Sequence, residues 1–181
     1  LLEAVERKRV SVADLSAQQA RQIAALGDAG LAKRLAGVWG NVRPSPAERV
    51  RQIHHWRRQL DPSRSTLPDL QRGRAVFRQT CANCHKLFGE GRSVGPELTG
   101  SNRRNLGYLL SNVIDPSAAV TADFRLAIVV TRDGRVVSGA ISRRSATEVT
   151  IETATEAVRI AASNVDEIKI SEKSMMPDGL L

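Results

Sequence analysis

The sequence predicts an α+β protein in which helices come first and strands come last. Up to residue 114, apolar side chains recur at helical spacing between capping residues and glycines. From Phe124 onward, short runs of branched residues are separated by turn signals such as Asp133-Gly134. We therefore expect a helical part followed by a compact β-rich part.

The first 60 residues are expected to form three helices with short breaks. Residues 14–26 end at Gly27, a natural C-terminal stop, and residues 28–39 start at Asp28, a candidate N-cap. In Ser45-Pro46-Ala47-Glu48 a capping serine precedes a proline at the first helical position, and a glutamate follows three residues after the cap. This pattern predicts a third helix that reaches residue 60.

The second part begins after a polar segment with two prolines, 61–68, which predicts a linker and a domain boundary. We place a helical region at 1–66 and a second domain at 67–181, with helices near 69–81 and 103–114 on either side of a glycine-rich loop. Five strands are expected at 124–131, 136–141, 148–153, 157–160 and 165–170. Short strands joined by tight turns predict a small antiparallel barrel or a strongly curled sheet, inserted at 122–171.

Composition excludes several classes of protein. The chain has 181 residues and a formal net charge of +8, with no apolar run long enough to span a membrane and no export signal in this chain. Its two cysteines cannot form a disulfide scaffold. The positive charge is spread along the chain, and the β-rich part has mixed charges and no aromatic platform beyond Phe124. This distribution favours encounter with acidic protein surfaces and argues against nucleic acid as a partner.

Both cysteines belong to one motif, Cys81-Ala82-Asn83-Cys84-His85, which is the attachment motif of c-type haem. Two thiols one helical turn apart reach the two vinyl groups of one porphyrin, and the next side chain places an imidazole on the iron. The sequence therefore predicts one covalent haem c, tethered by Cys81 and Cys84, with His85 as an iron ligand.

Three other interpretations of the motif compete with haem attachment. A thioredoxin-like dithiol needs a strand before the motif, whereas here a helix is expected. A zinc site needs further ligands, and the chain offers only His54-His55. Two unrelated buried cysteines beside a surface histidine are the third alternative.

The second axial ligand is expected among the two methionines, Met175 and Met176. Pro177 stiffens the loop after Met176, and a soft sulfur favours ferrous iron, so Met176 is preferred over Met175. The alternatives are that both methionines fill the core, or that His54 or His55 binds the iron, although both histidines are expected to face solvent.

The chain resembles class I cytochromes c at several positions. These are Gly73 and Phe77 before the motif, Gly95-Pro96-x-Leu98-x-Gly100 after it, and Met176-Pro177 near the end. The resemblance implies that the Pro96 carbonyl accepts the His85 N–H, that Leu98 packs on the haem, and that Gly73 allows a close helix contact. It is closest to the haem-binding domain typical of planctomycetes and verrucomicrobia, over residues 70–181. Residues 1–66 resemble the helical, HEAT-like stretch that often precedes such domains.

The leading functional hypothesis is a one-electron carrier with His85 and Met176 as iron ligands. The resemblance implies a dehydrogenase, in the same or another chain, as electron source. The basic surface favours acidic redox partners, and haem attachment to paired thiols implies a periplasmic or equivalent compartment. The alternatives are a peroxidase-like haem enzyme with a displaceable distal ligand, and a partner-docking module built on the β insertion.

Overall fold

The structure is a computed structural model that describes residues 1–61, 63 and 67–181 of the chain. Helices dominate its first two thirds and strands its last third, which agrees with an α+β fold. The α-helices of the described residues are α1 (Leu2–Glu6), α2 (Ala17–Ala24), α3 (Ala29–Val38), α4 (Ala47–Gln59), α5 (Leu70–Thr80) and α6 (Leu106–Ile114). The strands are β1 (Gly40–Val42), β2 (Ala119–Thr121), β3 (Arg125–Thr131), β4 (Val136–Arg144), β5 (Glu148–Glu152), β6 (Ala157–Ala161) and β7 (Val165–Ser174).

Among the described helices, α2, α3, α5 and α6 begin after a capping side chain, whereas α1 and α4 do not. Asp28 caps α3 by accepting a hydrogen bond from the Leu31 N–H at 2.8 Å, as predicted. Ser16 caps α2 in a reciprocal capping box with Gln19, so this helix begins later than the predicted residue 14. The predicted Ser45 cap of α4 is wrong, because the helix begins at Ala47 and Pro46, which occupies the cap position, makes no side-chain cap hydrogen bond.

The N-terminal helices share one apolar core. It is made of buried residues from α1 to α3 together with Ala119 of β2, and Trp39 is its largest member. The Trp39 indole N–H donates to the Leu15 carbonyl at 2.6 Å, which satisfies the one polar atom that this side chain buries. Helix α1 and strand β1 were not predicted.

A two-stranded ladder joins residues before the linker to residues after α6. β1 pairs antiparallel with β2, with Asn41 opposite Val120. Next to this ladder, the Arg43 guanidinium donates to both carboxylate oxygens of buried Asp115, at 2.8 and 3.0 Å. A strand pairing and an ion pair therefore connect the helical region with the haem-motif domain across the predicted boundary.

The remaining five strands form an open antiparallel sheet in the order β6-β5-β4-β3-β7. All five predicted strands are present, but the closed barrel is wrong, since β6 and β7 are edges and no described strand pair connects them. β4 pairs through its first half with β3 and through its second half with β5, and its register shifts between Ile141 and Arg143. The bulge bends the sheet around a core of Val129, Val149, Ile151 and Ile160 without closing it.

Helix α5, which precedes the haem motif, lies on the surface. Within the described part of the chain it has no buried residue, and Leu70 and Val76 are 77% and 54% exposed. No described atom lies within 4 Å of a Cβ built on Gly73, so the close helix contact that the resemblance implied for this glycine is not present there.

The predicted boundary between 66 and 67 borders residues 64–66, which lie outside the described residues. No helix among the described residues is long and apolar enough to cross a membrane.

Candidate functional site

The two cysteines and the histidine of the motif lie on one turn that continues α5. The Cys81 N–H donates to the Phe77 carbonyl at 2.8 Å, and the His85 N–H donates to the Cys81 carbonyl at the same distance. Both thiols are free and half-buried, and burial raises the pKa of the Cys81 thiol. The turn thus places Cys81, Cys84 and His85 within one helical turn of each other, as the motif predicts.

The imidazole of His85 is oriented by Pro96. Its Nδ1 lies 2.8 Å from the Pro96 carbonyl oxygen, and because a carbonyl only accepts, Nδ1 carries the proton. Nε2 is then the nitrogen whose lone pair is available to a metal. The hydrogen bond that the resemblance implied for Pro96 is therefore present in the structure.

Glycines allow the following loop to pass closely behind His85. A Cβ on Gly95 would lie 2.7 Å from Cε1 of the ring. A Cβ on Gly91, whose φ is +97°, would lie 2.2 Å from the His85 carbonyl oxygen. Only residues without a side chain fit at these two positions, because each approach is closer than a real Cβ contact permits.

Backbone hydrogen bonds fix this loop against the motif. The N–H groups of Val94 and Gly95 both donate to the Cys84 carbonyl, at 3.0 and 2.7 Å. The Leu98 N–H donates to the Lys86 carbonyl at 2.8 Å, so the backbone of Leu98 is held beside the motif while its side chain is half-buried. Val94 is buried at 6% exposure. The loop and the motif therefore form one hydrogen-bonded unit.

Arg92 connects this unit to the five-stranded sheet. Its backbone N–H donates to the Ala82 carbonyl at 3.0 Å. Its guanidinium donates to the carbonyls of Thr153 and Ala154, in the turn between β5 and β6, at 3.3 and 2.8 Å. It also lies 3.6 Å from the Glu152 carboxylate. Arg92 could not be singled out from the sequence, because its partners come from a turn about sixty residues later.

A second arginine cluster holds α5 to the loop after the motif. Arg74 and Arg78, one helical turn apart on α5, both contact the Glu90 carboxylate, and the Arg78 bonds are 3.0 and 3.1 Å long. These arginines lower the pKa of Glu90. The signal that could have indicated this cluster is the spacing of two arginines by four residues on the helix that leads to the motif.

Met175 and Met176 lie on the loop that follows β7. The Met175 N–H donates to the Phe124 carbonyl at 3.0 Å, and the Met176 N–H donates to the Ser174 hydroxyl at 3.0 Å. Asp178, two residues later, lies 3.6 Å from the Arg49 guanidinium of α4. Both methionine side chains are half-buried. The loop is thus held by β-rich and helical parts alike. These hydrogen bonds involve only the backbones of the two methionines, so they do not distinguish Met175 from Met176 as a ligand.

The thioredoxin-like and zinc alternatives find no support in the geometry. A helix, not a strand, leads into Cys81, which contradicts the thioredoxin-like dithiol. No group of three or more His, Cys, Asp and Glu side chains among the described residues is placed to hold a metal ion by itself. His54 and His55 are exposed on α4.

The residues of the site fit a covalently tethered haem. Two free thiols one turn apart match the paired vinyl groups, and His85 has its Nδ1 fixed and its Nε2 free of any described partner. The glycine at 95 leaves room for the ring in that orientation. This donor set and this orienting hydrogen bond are those that a histidine ligand to iron requires.

Comparison with known families agrees with this chemistry. The family model described as Cytochrome c matches residues 70–124, which run from the start of α5 to the residue before β3. No curated protein sequence matches the chain. The matched segment contains the motif, the His85–Pro96 hydrogen bond and α6.

Proposed function

We propose that this chain, whose residues 70–124 match the family model described as Cytochrome c, is a single-haem electron carrier in which His85 and Met176 would bind the iron. A cytochrome c domain implies a covalently bound haem and haem-based electron transfer. The finer assignments, namely one haem, attachment at Cys81 and Cys84, and the methionine ligand, are our proposal. The observation that carries it is the 2.8 Å contact between His85 Nδ1 and the Pro96 carbonyl, next to two free thiols.

When bound, the haem supplies a one-electron couple between ferrous and ferric iron. The chain's own residues then influence the balance between these two oxidation states. Pro96 fixes the His85 ring and strengthens it as a ligand, because the N–H donated to a carbonyl increases electron density on the other nitrogen. A thioether from Met176 would favour ferrous iron relative to a second histidine. Leu98 and buried Val94 would exclude water from the haem.

The compartment and the partners follow from this chemistry. Cytochromes of the c type are typically extracytoplasmic, and we propose the periplasm or an equivalent compartment for this protein. We further propose that it exchanges electrons with acidic partner proteins, and that a dehydrogenase in the same or another chain supplies them. No specific observation favours the peroxidase-like alternative or a docking role for the five-stranded sheet.

The test is the absorption spectrum of the protein made in a host with c-type haem maturation, oxidised and reduced, from visible to near-infrared wavelengths. Three proteins are compared: wild type, Met176→Ala and the matched control Met175→Ala. We expect a c-type spectrum in all three. We expect the methionine-to-iron charge-transfer band to disappear in Met176→Ala and to persist in Met175→Ala.

Each other outcome changes a stated part of the proposal. If the band is lost only in Met175→Ala, the ligand is Met175. If neither change affects it, or if the wild type lacks it, the methionine ligand is wrong. If the wild type carries no haem while a control cytochrome matures in the same host, the electron-carrier proposal as a whole is wrong.

A further inference from the structure

Helix α4 has two faces of different character. Its inner face, with Arg49, Gln52, Ile53 and Trp56 at helical spacing, is half-buried and packs toward α6. The opposite face has Arg51, His54, His55 and Arg58, all exposed and spaced so that they line one side of the helix. We call this second set the basic stripe.

No acidic side chain among the described residues forms an ion pair with the basic stripe. Its four side chains make no ion pair or hydrogen bond with any residue that the structure describes. Other arginines do have carboxylate partners, for example Arg43 with Asp115 and Arg78 with Glu90.

Few other charged groups surround the stripe. Arg57, also exposed, adds another positive charge beside it, and Glu48 is the single acidic residue of α4. Helix α6, against which α4 packs, has no charged residue. The exposed surface of α4 therefore has three guanidinium groups, those of Arg51, Arg57 and Arg58, against one carboxylate.

The stripe lies on the helix that also holds the methionine loop. Arg49, on the inner face of α4, pairs with Asp178 at 3.6 Å, two residues after Met176. Arg51 and Arg58 are separated by seven residues, or about 10 Å along the axis. A partner bound to the stripe would therefore contact the same helix as this loop, on its opposite face.

From this arrangement we infer that the basic stripe is the docking surface for an acidic protein that exchanges electrons with the haem. Guanidinium groups on a rigid helix are suited to carboxylates, which they bind through two parallel hydrogen bonds. The net charge of +8 would steer an acidic protein toward the molecule before the stripe aligns it. The inference rests on the proposed function for its redox partner, whereas the location of the surface rests on α4 alone.

Two other anionic partners fit less well. Helices that bind lipid surfaces insert a large apolar side chain, and the stripe contains none. Proteins that bind single-stranded nucleic acid present aromatic stacking platforms, and Trp56 is half-buried on the inner face with its ring edge-on to His55. Binding of anionic vesicles and of DNA is measured to distinguish these partners from an acidic protein.

The test measures binding of fluorescein-labelled poly-L-glutamate of about 20 residues to the haem-loaded protein by fluorescence anisotropy, at low and high salt. The variant is Arg51→Glu with Arg58→Glu. The matched control is Arg143→Glu with Arg144→Glu on β4, which reverses two exposed arginines that also lack a described ion-pair partner. Both double variants change the net charge by the same amount, and circular dichroism checks that both are folded.

We expect at least a tenfold increase in Kd for the α4 variant and less than threefold for the β4 control, with wild-type binding lost at high salt. Equal losses in the two variants would show that net charge alone drives binding and would overturn the inference. Tighter binding of phosphatidylserine vesicles or of a DNA duplex at 150 mM salt, lost in the α4 variant, would replace the acidic protein with a lipid or nucleic acid partner.

The haem spectrum separates the two proposals. We expect it to be unchanged in both double variants, since none of the four residues belongs to the haem site. A wild type that binds poly-L-glutamate through α4 but lacks haem would refute the electron-carrier function and leave the surface in place. A haem protein without selective binding at α4 would refute the surface only.

Discussion

Replacing Gly95 with alanine tests whether the loop behind His85 sets the orientation of the ring. A Cβ at this position would lie 2.7 Å from Cε1, 2.9 Å from Nδ1 and 3.2 Å from Nε2 of His85. Carbon atoms in contact normally lie about 3.5–4.0 Å apart. The ring must therefore retreat by about 1 Å, or the loop must open by a similar distance.

Either movement weakens the hydrogen bond that orients the ring. The Nδ1 to Pro96 oxygen distance of 2.8 Å would lengthen beyond hydrogen-bonding range. We expect the overpacking to destabilise the protein by about 1–3 kcal/mol. In the haem-loaded protein, loss of the orienting partner should weaken the bond from His85 to iron by roughly 10- to 100-fold.

Guanidinium chloride unfolding measures the first effect, and the fraction of low-spin ferric haem in the absorption spectrum measures the second. Gly100→Ala is the matched control, because it adds the same methyl group a few residues later, where no described atom lies within 4 Å of the new Cβ. We expect this control to behave as wild type. If Gly95→Ala also keeps wild-type stability and spectrum, the close approach does not hold the ring and our reasoning is refuted.

Three further predictions concern charged contacts. Arg92→Ala, which removes the hydrogen bonds to the β5–β6 turn, should lower the free energy of unfolding by about 1–2 kcal/mol. Arg92→Lys should restore little of this stability. Equal stability of Arg92→Ala and wild type would contradict a stabilising contact between the haem-motif loop and the sheet. Arg43→Ala leaves the Asp115 carboxylate, which is 2% exposed, without its partner and should lower the free energy of unfolding in urea by about 3–5 kcal/mol. This loss should exceed that of Asp115→Asn. A larger loss in Asp115→Asn than in Arg43→Ala would show that the buried, unpaired carboxylate is not the main cause. Hydrogen bonds from Thr131 and Asn164 lower the pKa of Asp133 to about 2, so its contribution to stability is present above about pH 4 and is lost as the pH falls toward 2. The stability deficit of Asp133→Asn should therefore shrink over that range, and a constant deficit from pH 5 to 2 would contradict the assignment.

Local patterns in the sequence predicted the strands and most helices. Each of the five strands of the open sheet lies where branched residues and turn dipeptides indicated, and Asp133-Gly134 forms the predicted hairpin turn between β3 and β4. Such signals are local, because side chains and backbone within a few residues decide between helix and strand. The cap of α4 was the exception: Ser45 precedes a proline, and the helix begins after that proline.

Contacts between distant residues could not be predicted. β1 and β2 have three residues each, too few for periodicity to show, and their pairing depends on the positions of α3 and α6. An open sheet and a closed barrel have the same strand pattern, and only the missing ladder between β6 and β7 distinguishes them in the described residues.

Within the candidate site, the motif from Cys81 to His85 and the partner Pro96 were indicated by sequence and by resemblance. Arg92 was not, since its carbonyl partners have no side-chain signature. The proposed role of Met176 stays a prediction, because loop position alone does not assign a ligand.

The ladder between β1 and β2 has a consequence for the order of folding. Pairing Val42 with Ala119 closes a loop that contains α4, α5, α6 and both cysteines. Closing a long loop lowers the chain entropy before the hydrogen bonds of the ladder contribute any stability. We therefore expect this ladder to form after the local helices. The turn of the motif, which is held by short-range hydrogen bonds such as Cys81 N–H to the Phe77 carbonyl, is therefore expected to form before the ladder joins the two parts of the chain.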